Sequence, residues 1–237
     1  MATAADGDVT LAIGLMSGTS MDGVDAALLA TDGATNIERF PGAEVFVPYS
    51  AAERAILAAA LDTAAAREDR LSADGYTVGD PAFSAAEAIL HEKHCAAVRE
   101  LLRCANRSAA QISVIGFHGQ TVLHRPERGL TVQIGDPAAL AAAVGIACMA
   151  NLRHNDMRHG GQGAPLVPAY HAALAAQLPG DEPVAVVNVG GVANITWLPA
   201  GDLATKLAGM RAFDVGPDQT ARWYGRKQTH QLARCQD

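Results

Sequence analysis

The stretch that decides the fold is residues 9–31, which read VTLAIGLMSGTSMDGVDAALLAT. Two apolar runs, 9–16 and 24–31, flank a cluster of serine, threonine, glycine and aspartate at 17–23. The apolar runs are too short for helices, and the residues between them are those that form turns. The pattern therefore predicts a β-hairpin with an unusually polar tip.

A second stretch repeats this architecture further along the chain. Residues 184–198 read VAVVNVGGVANITWL, again a strand, a turn of small residues and a strand, although identity between the two stretches is low. The glycine-rich segment HGGQGAP, 159–165, lies between them and is the best candidate for a domain boundary. We therefore expect two related lobes, 1–158 and 159–237, with a ligand cleft between them.

Helices and further strands are expected around the two hairpins. Ser-Ala-Ala-Glu occurs at 50–53 and again at 84–87, and this capping-box pattern predicts that a helix follows each. Asp136-Pro137 predicts another helix start, with proline in the first helical position. Such mixing of helices and strands indicates an α/β fold. The expected helices are 51–67, 85–105 and 168–178, and the expected further strands are 112–117, 130–134, 144–150 and 210–215.

The composition excludes several classes of protein. Hydrophobic residues make up 49% of the 237 residues, which is too many for a disordered chain. Lys and Arg number 18 against 25 Asp and Glu, and the net charge of −7 argues against nucleic-acid binding. The uncharged stretch 183–201 contains asparagines and a Gly-Gly pair that a membrane helix avoids, and the first residues lack the features of a signal peptide. We therefore expect a cytoplasmic protein with no nucleic-acid or membrane partner.

The polar tip carries groups that suit a phosphate. Glycines let backbone amides approach an anion closely, and hydroxyls donate to phosphate oxygens. A carboxylate beside a phosphate is repelled unless a divalent cation or a water lies between them, so Asp22 indicates Mg²⁺ held through water. A plain turn rich in turn-forming residues explains the same composition, and the stretch is neither a Walker A loop nor a Rossmann turn. The groups concerned are the hydroxyls of Ser17, Thr19 and Ser20, the glycines Gly18 and Gly23, and the carboxylates of Asp22 and Asp25.

Two features of the second half are further candidates for chemistry. Gly190-Gly191 fits a second phosphate-facing hairpin, although glycines also mark bulges and tight turns. Asp214 ends a predicted strand, where a carboxylate can act as a general base or simply form the turn.

His154, Asp156 and His159 match no zinc-binding pattern, so surface or core histidines are the better interpretation.

Taken together, these segments resemble the anhydro-N-acetylmuramic acid kinases, a family within the sugar kinase, actin and chaperone-ATPase superfamily. The resemblance extends over nearly the whole chain to about residue 217, and the combination of GTSMDGVD, HGQT and GGQGAPLVP is highly specific. The matching segments are IGLMSGTSMDGVDAALL (13–29), IGFHGQTVLHRP (115–126), TVQIGDPAALA (131–141), GGQGAPLVPAYHAAL (160–174), VVNVGGVANIT (186–196) and FDVGP (213–217).

The resemblance implies an actin-like (ribonuclease H-like) pair of lobes and a defined reaction. Such a kinase uses ATP, Mg²⁺ and water to cleave the 1,6-anhydro ring of anhydro-N-acetylmuramic acid and to phosphorylate O6, giving N-acetylmuramate 6-phosphate during cell-wall (peptidoglycan) recycling. Asp214 would activate the water, and Gln120, Thr121 and Arg153 would bind the sugar. The resemblance leaves open whether two copies of the chain form a homodimer. The resemblance assigns the ATP phosphates to Gly18, Thr19, Ser20, Met21, Asp22, Gly23, Val24, Asp25, Gly190 and Gly191.

The departures from the family pattern define the alternatives. Asn151-Leu152-Arg153 stands where the family usually has Asp-Phe-Arg, and Asn155 where some members carry arginine. Family members continue FD-x-GPGN into a helix and are considerably longer, so we expect an incomplete second lobe. The alternatives to an active kinase are an inactive truncated remnant that retains at most nucleotide or sugar binding, and a different ATPase of the superfamily, such as a chaperone-like domain or a polyphosphate phosphatase. GGQGAPLVP and HGQT argue against the last of these.

Overall fold

The computed structural model describes residues 9–33, 36–71, 75–76, 79–189, 193–214 and 231–234. The chain divides into two compact units. Unit 1 comprises Met1–Gly33 and Glu38–Ala164, and unit 2 comprises Ala34–Ile37 and Pro165–Asp237. The long second segment of unit 2 thus begins inside the glycine-rich stretch 159–165. The α/β class expected from the sequence is confirmed, because both units combine helices with a β-sheet.

A mixed sheet forms the centre of unit 1. Its strands run in the order β3-β2-β1-β5-β6-β4, and β7 pairs with β5. The predicted hairpin is present, since β1 and β2 are antiparallel, while β1 and β5 are parallel. The strands are β1 (Thr10–Ser17), β2 (Gly23–Thr31), β3 (Ile37–Pro48), β4 (Gly75–Tyr76), β5 (Val114–Arg125), β6 (Leu130–Ile134) and β7 (Cys148–Met149).

The helices of unit 1 begin where local capping groups allow. At the first helix the capping box is confirmed: the Glu53 N–H donates to Ser50 Oγ and the Ser50 N–H to Glu53 Oε2. Asp136 caps the third helix by accepting from two backbone N–H groups, and Pro137 follows it. The helices are α1 (Ala51–Ala66), α2 (Ser84–Cys104), α3 (Pro137–Val144) and α4 (His154–Arg158).

The second predicted capping box is wrong. Helix α2 begins one residue earlier than a serine cap requires, with Phe83 in the cap position. Ser84 Oγ donates to the Pro81 carbonyl, and Glu87 instead accepts the N–H of Gly79. The buried ring of Phe83 anchors the start of the helix in the core, so packing overrides the local polar pattern.

The core of unit 1 lies between the sheet and its helices. Alternate residues of β2 are buried, as expected for a strand with one face on a core. Long helix α2 contributes a buried stripe at helical spacing. The largest fully buried apolar side chains of this core are Phe83, Phe117, Ile13, Leu57, Leu90, Leu101, Ile115, Ile134 and Leu140.

Unit 2 contains a second, smaller sheet in the order β10-β9-β8-β11. The second predicted hairpin is present in its strands, because β8 and β9 pair antiparallel out to Val189 and Ala193. Its apolar core among the described residues comprises Ala172, Ala175, Val184, Val186 and Leu198. The elements are α5 (Pro168–Ala176), β8 (Val184–Val189), β9 (Ala193–Leu198), α6 (Leu203–Gly209), β10 (Arg211–Asp214) and β11 (Gln231–Arg234).

Several elements differ from those that the sequence predicts. Strands β3 and β11 and helix α6 were not expected. The apolar run 144–150 forms only the two-residue strand β7, because α3 extends through Val144 and a left-handed Gly145 ends it. The expected strand 112–117 is longer in the structure. Strand β5 continues through the HGQT segment to Arg125, with Gly119 at a positive φ inside it. Within the described residues, no helix has both the length and the apolar character needed to cross a membrane.

Candidate functional site

The tip between β1 and β2 is a tight, polar turn. The Met21 N–H donates to the Gly18 carbonyl at 3.1 Å, and Met21 adopts a left-handed φ of 49°. Thr19, Ser20 and Asp22 are exposed, and Ser20 Oγ donates to Asp22 Oδ1 at 2.6 Å. The tip therefore presents hydroxyl and carboxylate oxygens to solvent from a defined backbone conformation.

The two glycines of the tip have different surroundings. A Cβ at Gly18 would meet Ser20 Oγ only at 3.5 Å, so the space beside it is open. A Cβ at Gly23 would approach the Phe46 ring and the Val47 carbonyl to 2.5 Å, because β3 packs directly against it. Val24 is completely buried in the core and presents no accessible surface. Gly18 thus lies on the open side of the tip, and Gly23 and Val24 form its packed base.

The negative charge of Asp22 acts on the neighbouring carboxyl group of Asp25. Asp25 is solvent-accessible, yet the protein packed beside its carboxyl group raises its pKa, and the negative charge of Asp22 raises it further. A cation would relieve this repulsion. Oxygen ligands of this type suit Mg²⁺, which usually takes one or two carboxylates and completes its shell with water and phosphate.

Three buried polar side chains lie under the tip. Ser17 Oγ donates to Gln120 Oε1 at 2.6 Å and lies 2.9 Å from the Tyr49 hydroxyl. Gln120 Nε2 donates to the Gly18 carbonyl at 3.4 Å. Gln120 is completely buried, and Ser17 and Tyr49 are each 2% exposed. Tyr49 was missed by the sequence analysis; it lies far along the chain, just before the cap of α1, and no local motif marks it.

Arg153 contacts residues of the HGQT segment and of the HGGQGAP segment. Its Nη1 donates to the Gly163 carbonyl at 2.6 Å and its Nη2 lies 2.7 Å from His118 Nε2. Because a guanidinium can only donate, His118 Nε2 accepts and its Nδ1–H donates to the Gly119 carbonyl at 3.0 Å. Burial, and next the charge of Arg153, lower the pKa of His118 to about 4, so this imidazole is neutral at physiological pH.

Thr121 belongs to a polar row across β5 and β6. Gln133 Nε2 donates to Thr121 Oγ1 at 3.2 Å and to Thr131 Oγ1 at 2.8 Å, and His124 Nδ1 lies 3.1 Å from the same Thr131 oxygen. Burial, and next the charge of Arg153, lower the pKa of His124. Thr121 and Arg153 are both partly exposed, which leaves each with surface for a ligand.

The departures from the family pattern lie beside Arg153. Asn151 has a left-handed φ of 60°, a conformation that asparagine tolerates better than most residues, and its Oδ1 is buried without a hydrogen-bond partner. The Asn155 carbonyl lies 2.8 Å from the Nδ1 of exposed His159. Of the described residues, no group of three or more His, Cys, Asp and Glu could hold a metal.

Asp214 is the last residue of β10 in unit 2. Its backbone is in register with Asn194 of β9, and Asn194 is in register with Asn188 of β8. The Asn188 Oδ1 is buried and has no partner. Three polar residues therefore occupy one row across this end of the sheet. Gly190 and Gly191 lie outside the described residues.

The β1–β2 hairpin therefore presents exposed oxygens and open backbone at the end of two neighbouring strands of an α/β sheet, and turn backbone of this kind can bind an anion. The chain belongs to the family described as anhydro-N-acetylmuramic acid kinase, whose model matches residues 10–231.

Curated relatives agree with this assignment. A protein named anhydro-N-acetylmuramic acid kinase from Rhizorhabdus wittichii is 53% identical over 207 residues, covering 87% of this chain and 52% of the relative. Relatives of the same name from Agrobacterium fabrum and Brucella suis are 48% and 50% identical, and each match covers 89% of this chain and 53% of the relative. The chain spans about half the length of the curated relatives it matches.

Proposed function

We propose that this chain carries the phosphate-binding and water-activating parts of an ATP-dependent kinase. This kinase would cleave the 1,6-anhydro ring of anhydro-N-acetylmuramic acid and phosphorylate O6, giving N-acetylmuramate 6-phosphate for cell-wall recycling in the cytoplasm. The observation that carries the proposal is the exposed hydroxyl and carboxylate tip of the β1–β2 hairpin, held on a buried polar base. The names of the curated relatives point to the same activity.

The strand arrangement supports an actin-like, ribonuclease H-like fold for the proposed enzyme. In unit 1 an antiparallel hairpin is followed by a strand parallel to β1. Unit 2 also begins its sheet with antiparallel neighbours, in the order β10-β9-β8. We propose that the units correspond to the two lobes, 1–158 and 159–237, and that the second lobe is incomplete relative to the longer relatives.

The residues of the tip fit ATP and a divalent cation. Open backbone at Gly18 and the exposed hydroxyls of Thr19 and Ser20 suit phosphate oxygens. Asp22 would hold Mg²⁺ through a water, and the ion would neutralise charge on the transferring phosphoryl group. Gly190 and Gly191 are proposed as the second phosphate contact.

Asp214 is proposed as the general base. Its carboxylate would take a proton from a water whose oxygen bonds to the anomeric carbon, and the bond from that carbon to O6 breaks. O6 then bonds to the γ-phosphorus of ATP, and ADP leaves. Asp214 then releases its proton to solvent, so one sugar, one water and one ATP give the 6-phosphate, ADP and one proton. Arg153 and Thr121 would bind the sugar, with Gln120 beside them.

The proposal is tested on the purified chain with two aspartate variants. Asp22→Ala should weaken binding of Mg·ATP, measured by calorimetry, by roughly tenfold, because a charge-assisted contact is lost at an exposed position. Asp62→Ala removes an exposed carboxylate from α1 and is the matched control, with no expected effect. Equal affinities in both variants would contradict the assignment of the tip.

Turnover separates the proposed kinase from the inactive remnant. ADP release is followed in a coupled assay with anhydro-N-acetylmuramic acid, ATP and Mg²⁺. Release that depends on the sugar supports an active kinase. ATP or sugar binding without release supports the remnant.

A further inference from the structure

Gln120 has no free polar end for a ligand. Its amide is completely buried, with Oε1 accepting from Ser17 Oγ and Nε2 facing the carbonyls of Gly18 and Thr121, each at 3.4 Å. Carbonyls only accept, which fixes the orientation of the amide. The side chain therefore holds the start of the tip, and it reaches a sugar only if these contacts break.

The hydrogen bonds under the tip link Tyr49, Ser17 and Gln120 in one continuous series. Ser17 gives its proton to Gln120, so the Tyr49 hydroxyl donates to Ser17 Oγ. Burial is the main cause that raises the pKa of Tyr49, to about 12, and the phenol keeps its proton at physiological pH. Each hydrogen bond of this series therefore has a fixed direction, from Tyr49 to Ser17, from Ser17 to Gln120, and from Gln120 to the Gly18 carbonyl.

Tyr49 also holds the other end of the tip. Its backbone N–H donates to the Asp22 carbonyl at 2.9 Å. The Gly18 carbonyl, which accepts from Gln120, accepts from the Met21 N–H as well. Both ends of the turn are therefore fixed from below, while Thr19 and Ser20 stay exposed above.

We propose that Gln120 and Tyr49 are positioning residues that preorganise the tip at 18–22 for phosphate, and that Gln120 is not a sugar contact. The role assigned to the tip rests on the proposed function. We call the contacts of Gln120 and Tyr49 with the tip the clamp. A preorganised site avoids the cost of ordering its backbone when the ligand binds. Loss of the clamp therefore weakens phosphate binding without removing any group that touches phosphate.

The experiment compares three variants of the chain. Gln120→Met removes the amide at similar length, and Tyr49→Phe removes one hydroxyl while keeping the ring and the backbone N–H. Thr131→Val is the matched control, because it removes an equally buried hydroxyl whose partners are His124 and Gln133. Melting temperature, hydrogen exchange of amides 18–23 without nucleotide, and affinities for Mg·ATP and for the anhydro-sugar are measured for each.

The two clamp variants should raise the rate of amide exchange in the tip by roughly 5- to 20-fold, as expected from a lost buried hydrogen bond. They should lower the affinity for Mg·ATP by a similar factor. Thr131→Val should lower the melting temperature without either effect. Unchanged tip exchange in both clamp variants, or loss of sugar affinity alone in Gln120→Met, would overturn the proposal. If the parent chain binds no ATP, the proposed function fails, while the exchange data still decide whether the clamp exists.

Discussion

At the scale of single residues, similar residue types in the tip have different tasks. Gly18 faces open space, whereas Gly23 is needed because Phe46 and Val47 occupy the place of a side chain. Ser17 is buried in the polar base, whereas Thr19 and Ser20 are exposed. The sequence predicts the polar tip but not this division, because strand β3, which packs on Gly23, was not expected.

The proposed role of Asp214 is a prediction at this scale. Asp214→Asn keeps the size and hydrogen-bonding shape but removes the basicity. In a chimera that continues this chain with the second half of a full-length relative, we expect kcat to fall by ~10²–10⁴, the range typical for a general base.

ATP affinity should be nearly unchanged in this variant, since the proposed phosphate contacts lie elsewhere. The measurements are ADP release and calorimetry. Turnover within a few-fold of the parent chimera would identify another residue as the base.

At the scale of elements, local polar patterns predict a helix start only where packing does not compete. The Ser-Ala-Ala-Glu pattern gives a capping box at 50–53 and none at 84–87, where Phe83 is buried and takes the cap position. Helix α6 has the same kind of local signal, an Asp202 cap that accepts from the Thr205 N–H, but its short length left it unnoticed. Strand β3 pairs with β2 and the end of β5 pairs with β6, but neither stretch is a continuous apolar run, so hydrophobic patterning does not reveal them.

The two capping patterns give a matched prediction. Ser50→Ala should lower the free energy of unfolding by about 0.5–2 kcal/mol, because a helix N-terminal amide loses its acceptor. Ser84→Ala should change it by less than about 0.5 kcal/mol, since its hydroxyl contacts only an exposed carbonyl. Urea titrations of the two variants against the parent measure both values, and equal losses would contradict the difference in cap geometry.

At the scale of the whole molecule, the two units differ in the quality of their cores. Unit 1 buries large aliphatic and aromatic side chains from both its sheet and α2. The described core of unit 2 is smaller and is mostly alanine and valine, and both units also bury polar groups. Buried apolar area is the main source of stability, and buried polar groups add little to it. Unit 2 should therefore be the less stable of the two.

The distribution of chromophores allows this last prediction to be tested without labels. Both tryptophans, Trp197 and Trp223, belong to unit 2, whereas the long helices α1 and α2 belong to unit 1. In a urea titration we expect tryptophan fluorescence to change at a lower concentration than far-ultraviolet circular dichroism, which mainly follows those helices. Trp223→Phe leaves Trp197 of β9 as a single reporter and should give the same early transition. Coincident transitions by both probes would mean that the units unfold as one cooperative structure, because a two-state protein gives the same midpoint by every method.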